Sequence, residues 1–243
     1  MKQLVAIIVF LFLFNTEGFP GSSLDYDGDA DYIEMADNAN LDFDATTDFA
    51  VAVWLSPDAC GTDGPFVLNK GTAAGTFYQI RLRTTSCRIL VSVDDGPDVV
   101  NSTDDGAALT NASWQHLVVN FDIDGNMTRY LNGVSTGTAD ALSTIGDLTN
   151  VNVLRVSLNT VSAWDGQMAD LRIYRRLLRA SEISELYAGN VIASPDNLAL
   201  HLPSQDSASP ANDISILQGG DGTWFNQTAS SGNGPPIFYG LPL

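Results

Sequence analysis

The stretch Trp164 to Tyr187, WDGQMADLRIYRRLLRASEISELY, decides the fold. Between Gly166 and Tyr174 the apolar residues Met168, Leu171, Ile173 and Tyr174 surround an Asp and an Arg, the pattern of a strand added late to an existing core. Beyond it, Ser181 is placed to cap a short helix whose Ile183, Leu186 and Tyr187 fall on one face, with Glu182 near the positive helix end. Such a strand needs a partner, and the distinctive stretch Leu24 to Glu34, LDYDGDADYIE, is the one the chain offers.

Working outward, Asp48 to Ser56 is apolar on both faces, as a central strand requires. Phe66–Lys70, Thr76–Arg83 and Arg88–Val93 follow as strands. In the second of these, Tyr78, Ile80 and Leu82 alternate with Gln79, Arg81 and Arg83, giving one dry face and one wet one. Trp114–Phe121 turns through Asp122–Asn126 into Met127–Leu131, and Asn132-Gly133 is a hairpin-turn signal because both residues tolerate positive φ. Val151–Leu158 leads into the deciding stretch. About ten short strands, frequent turns and one terminal helix predict an all-β, antiparallel two-sheet sandwich. Asp25, Asp27, Asp29 and Asp31 stand at every second position, so either the strand bends at Gly28 or a cation sits there.

An opening of the type LDFDG..DYV, a middle W.H.V, a hairpin ending Y.NG and a closing DG.(I/M).(D/E).RIY......EI..LY recur in one family. Here they stand as Leu24–Ile33, Trp114–Val118, Tyr130–Gly133 and Asp165–Tyr187. The chain thereby resembles the laminin-G-like, concanavalin A-like lectin/glucanase jelly-roll domains over roughly residues 23–190. The resemblance implies a jelly roll with a short C-terminal helix. It also implies a structural calcium where the first and last strands meet, with Asp170 as the matching ligand and Asp27, Gly28 and Asp29 as companions, since calcium takes hard oxygen ligands. The hydrolase branch of that family carries an E.D..E strand, which is missing here, and the sequence has four Glu in all. Catalysis is therefore not expected, and His116, in the W.H motif, is expected to be a packed residue.

Around this domain, residues 1–18 have the composition of a secretory signal peptide: Lys2, then an apolar run Leu4–Phe14, then the small-residue site Thr16–Gly18. That run is too short to span a bilayer. A linker, 19–23, precedes the jelly roll (24–190), and an extension rich in Pro, Gly, Ser and Asn occupies 191–243. Trp224, Phe225, Phe238 and Tyr239 would anchor the extension on the sandwich or on a neighbouring copy. The net charge of -18, from 29 acids against 11 bases, excludes nucleic acid and anionic lipid as partners. In an exported chain Cys60 and Cys87 would form one disulfide, worth about 3 kcal/mol by the chain-entropy model; two free buried thiols are the other possibility.

For ligands, Tyr78, Tyr130 and Trp164 are candidates to stack on sugar rings, unless they fill the core. Arg172, Arg175, Arg176 and Arg179 would bind an anionic glycan or neutralise the surrounding acids. Asn101, Asn111, Asn126 and Asn226 open four N-glycosylation patterns. Together these features predict a secreted, non-catalytic recognition or adhesion module for an extracellular glycan or glycoprotein, with calcium as a structural aid. The competing expectation is a subunit of a filament, surface layer or virion, a homo-oligomer assembled through the N-terminal segment or the C-terminal extension.

Overall fold

The computed structural model describes residues 22–59, 64–72, 74–158, 162–190, 196–204, 210–215, 217, 219–226, 228–230 and 234–235. The leader, Cys60 and the anchors Phe238 and Tyr239 lie outside the described residues. In chain order the strands are β1 (Ser23–Asp27), β2 (Tyr32–Met35), β3 (Phe49–Pro57), β4 (Phe66–Gly71), β5 (Phe77–Leu82), β6 (Ile89–Asp94) and β7 (Val99–Asn101). Then come β8 (Gln115–Phe121), β9 (Asn126–Leu131), β10 (Val134–Ala141), β11 (Leu154–Val156) and β12 (Asp165–Tyr174). Helix α1 (Ala180–Tyr187), β13 (Leu198–Leu202), β14 (Thr223–Phe225) and β15 (Thr228–Ser230) complete the order. The first sheet runs β10-β9-β8-β3-β12-β1-β15, with β13 also on β12; the second runs β14-β2-β11-β4-β5-β6-β7.

The opening and closing strands lie side by side, as the sequence predicts: Leu24 is opposite Met168 and Tyr26 opposite Gly166 in an antiparallel pair. The alternating aspartates do not form one strand. After Asp27 the chain leaves the first sheet, turns through Gly28 (φ 80°) and Ala30 (φ 60°), and enters the second sheet as β2. Four like charges on one strand face are thereby avoided. Ser23 already belongs to β1, so the strand takes the end of the expected linker.

Inward-facing residues of both sheets close one core, in which Phe49 stacks on Phe43 (3.9 Å) and on Phe121 (4.1 Å). The second apolar face of β3 has a different cover from the first. Ala50 and Ala52 join Val118, Tyr174, Ile183 and Leu186 in a separate cluster beneath α1. Burying Ile183 and Leu186 contributes roughly 1.5–3 kcal/mol each, which holds an eight-residue helix too short to persist alone. The helix begins one residue before the expected cap: Arg179 is the N-cap, its backbone N–H donates to Glu182 Oε2 (2.8 Å), and Ser181 lies in the first turn.

The described part of the extension is built into the same sandwich. β13 pairs with β12, β14 with β2 and β15 with β1. β12 thus has β3 along one side and two partners along the other, β1 opposite residues 165–168 and β13 opposite 171–174. Between these partners sits a bulge, where Asp170 adopts φ 52°.

Candidate functional site

The outer face of the second sheet carries a continuous row of polar side chains. In the paired registers Thr223 lies opposite Glu34, Glu34 opposite Arg155, and Arg155 opposite Asn69. The row continues from Asn69 to Gln79, then to Ser92, which is 1% exposed and sits beneath its neighbours, and to Asn101, one residue from each of the seven strands. Alternation dictates this: the neighbours Ile33, Leu154, Leu68, Ile80, Val91 and Val93 are all in the core, so the residues between them point outward. Six interstrand spacings make the row about 29 Å long.

Beside it runs an aromatic margin. Tyr32 and Phe225 stack at 4.3 Å with their planes 7° apart, and Arg155 lies over the Tyr32 ring while holding Glu34 at 2.7 Å. Phe66, half-buried, continues the margin opposite Arg81. Within the row Ser92 Oγ donates to Asn101 Oδ1 (2.7 Å), and Asn69 Nδ2 donates to the Gly71 carbonyl (3.1 Å). Amide and hydroxyl groups at fixed spacing beside flat rings are what a sugar chain needs: hydrogen bonds for its hydroxyls and stacking for its apolar ring faces.

The aromatic residues singled out from the sequence lie elsewhere. Tyr78 is 1% exposed and its hydroxyl donates to the Leu41 carbonyl (2.9 Å), while Trp164 is 0% exposed. Both rings fill the core and neither offers a face to a ligand. Tyr130 is half-buried and packs against the cluster under α1. The C-terminal arginines are also engaged internally. Arg172 pairs with Asp170, Arg175 donates to the carbonyls of Ala39, Asn40 and Asp42, and Arg176 pairs with Glu182.

Asp170 does not sit with Asp27, Gly28 and Asp29. It is buried in the β12 bulge, with Oδ1 bonded to His201 Nε2 (2.7 Å) and Oδ2 paired with Arg172 (2.9 Å). Those partners outweigh the cost of burial and hold its carboxyl below the usual range. A carboxylate with both oxygens so engaged is a fastener for β13 and not a cation ligand. Asp27 is instead opposite Asp165, close to Asp25 and Asp58. Burial and mutual repulsion raise the carboxyls of Asp25 and Asp165. His116, buried against Trp54, is pushed down to about 3 by burial and is a neutral packing residue at pH 7.

A better arrangement for a hard cation occurs at a position the sequence reading passed over as a turn. Asp48, Asp122 and Asp124 bring carboxylate oxygens within 4.8 Å of one another beside a depression of about 220 Å³ lined also by Ala45 and Thr46. Burial, then Asp124 and Asp48, raise the Asp122 carboxyl, as expected for like charges gathered without a counter-ion. All four sequon asparagines, Asn101, Asn111, Asn126 and Asn226, are exposed. Cys87 lies in the β5–β6 connection, and its expected partner Cys60 is outside the described residues.

A family model described as the concanavalin A-like lectin/glucanases superfamily matches residues 27–184. No curated protein matches the chain. Among solved structures, a candidate carbohydrate-binding protein from Bacteroides ovatus superposes with TM-score 0.66 at 14% identity, covering 91% of this chain and 62% of that one. A heptameric SAP-like pentraxin from Limulus polyphemus gives TM-score 0.56 at 12% identity, covering 82% and 97%. The receptor binding domain of botulinum neurotoxin D gives 0.55 at 17% identity, covering 70% and 44%. The chain therefore spans about three-fifths of the Bacteroides protein and less than half of the toxin domain. Among the described residues no helix is long and apolar enough to cross a membrane.

Proposed function

The chain belongs to the concanavalin A-like lectin/glucanase superfamily, and from that premise we propose that it is a secreted, non-catalytic module that binds glycan along the outer face of its second sheet. The observation that carries this reading is the seven-residue polar row with Tyr32, Phe225 and Phe66 along its margin. The Bacteroides neighbour supports it, as a candidate carbohydrate binder of the same fold. The row has one carboxylate, Glu34, which Arg155 holds as an ion pair, whereas glycoside hydrolysis uses two facing carboxyl groups. That supports recognition over cleavage.

Export to an extracellular setting is supported by the composition of residues 1–18 and by four exposed glycosylation patterns. A Cys60–Cys87 disulfide and glycan at those four positions belong to the same proposal. Calcium enters at Asp48, Asp122 and Asp124, where it would relieve carboxylate repulsion at the β8–β9 turn and stiffen that end of the first sheet. A glycan array with the folded protein tests the reading. Binding of wild type that is lost in Gln79→Ala supports it, and a uniformly blank array overturns it.

A further inference from the structure

Among the described residues the basic side chains are committed to carboxylates or carbonyls except for two, the exposed Arg179 at the helix cap and Arg81, which is partly buried. Arg81 forms no ion pair and no hydrogen bond with any described residue, and its Nε is buried without a partner. It projects from β5 on the same face as Gln79, one step off the polar row, between Phe66 on β4 and Leu90 on β6, with its guanidinium 5.5 Å from the centre of the Phe66 ring. Burial between these walls, then the charge of Arg83, lowers its pKa. Arg83 and Arg88 both turn to one carboxylate, Asp104 (3.3 and 3.6 Å), and Arg83 also donates to the Ser102 carbonyl. Among the described residues two guanidinium groups thus share a single acid and the third, Arg81, has none, in a chain whose net charge is -18.

Resting on the glycan-binding reading above, we infer that the ligand is an acidic glycan, whose ring carboxylate or sulfate docks on Arg81 while the sugar chain lies along Gln79, Asn69 and Arg155, the half-exposed part of the row. A guanidinium that is partly desolvated and uncompensated gains most from an anion presented in its plane, because two parallel N–H···O bonds replace water on both partners. The distance from Gln79 to Arg81 along β5, about 7 Å, lets one sugar residue reach both the row and the guanidinium. Attraction at this corner works at short range, since the negative charge elsewhere is screened beyond about 8 Å at physiological salt.

Calorimetric titration of the full chain tests the inference with four probes: an oligogalacturonate hexamer, its carboxyl-reduced neutral counterpart, a sulfated galactose hexamer, and polyglutamate. The expected result is that an acidic hexamer binds at least tenfold tighter than the neutral one. That preference should fall below about twofold in Arg81→Gln and be partly kept in Arg81→Lys, with melting temperatures unchanged. Which acidic hexamer binds identifies the acid as carboxylate or sulfate. Equal binding of acidic and neutral hexamers, unaffected by Arg81→Gln, would overturn the acidic-ligand inference while leaving the glycan reading intact. Equal binding of polyglutamate would overturn it in favour of a general anion site, and no binding of any hexamer would overturn both.

Discussion

The two sheets of this molecule have opposite outer faces. On the first sheet, Ala50, Ala52, Val118 and Tyr174 lie beneath α1, Tyr187 stacks on Trp54 (ring centres 5.9 Å apart), and Asp170, Arg172 and His201 are locked to one another. On the second, the strands carry Glu34, Arg155, Asn69, Gln79 and Asn101, half-exposed or exposed. The same period-two alternation builds both, so what separates them is the chemistry of the outward residue. Small and apolar residues accept a helix, while the amides and charged groups of the second sheet are left half-exposed, as the proposed glycan contact requires. One face holds the fold together and the other is free to make contact.

The sharpest way to break this comparison is to attack the fastening face. Asp170→Ala leaves Arg172 buried without its carboxylate and removes the His201 bond that ties β13 to β12, so a loss of about 3–5 kcal/mol is expected in urea unfolding. Leu186→Ala, under the helix, is expected to cost about 2–4 kcal/mol. Neither substitution should alter glycan affinity of the folded fraction.

A smaller effect separates the faces by pH. The folded value of His116, about 3, lies below its unfolded value of about 6.5, so as pH falls the unfolded chain takes up the proton first. Its contribution is complete above about pH 6.5 and declines toward pH 3, by about 2 kcal/mol at pH 5. Asp25 and Asp165 act in the other direction, because raised carboxyls bind protons more readily in the folded state and so favour it at acid pH. His116→Gln should therefore flatten the fall in stability between pH 7 and 5. An unchanged slope would assign the acid sensitivity elsewhere.

On the ligand face the balance reverses: Gln79→Ala should change stability by less than about 0.5 kcal/mol while weakening glycan binding roughly tenfold. A large loss of stability there would mean that the row is structural. The smallest effect is expected from the metal. Addition of calcium should raise the melting temperature by a few degrees at pH 7, and Asp122→Asn should abolish the shift.

The fold was legible because it rests on residues whose pattern has one reading. The pairing of Leu24–Asp27 with the closing strand, the two-faced Phe49–Leu55 stretch and the Ile183/Leu186 stripe each identify a buried surface. β10 was not legible, since its residues are small, polar and almost all exposed, with no apolar alternation to mark them. The site was legible only in half. Tyr78 stood out as a large aromatic, but its neighbours Ile80 and Leu82 mark its side of β5 as the core, and Gln79 and Arg81 face out. The alternation already places those two on the wet face, and candidates for ligand contact belong there and not with the aromatic ring on the dry one. The transverse row could not have been found, because it is assembled by register from seven separate strands. Asp170 was misread for a related reason: a carboxylate beside an arginine looks alike in sequence whether it meets solvent, a metal or, as here, His201 from a strand that comes 31 positions later.

The central claim is that ligand contact is confined to the second sheet. Amide chemical shifts of the isotope-labelled protein, followed while a glycan selected on the array is added, test it most directly. The account predicts shifts at Asn69, Gln79, Ser92 and Arg155 with none at Ala50, Val118 and Tyr174. Shifts confined to the residues around α1, with the second sheet silent, would contradict it.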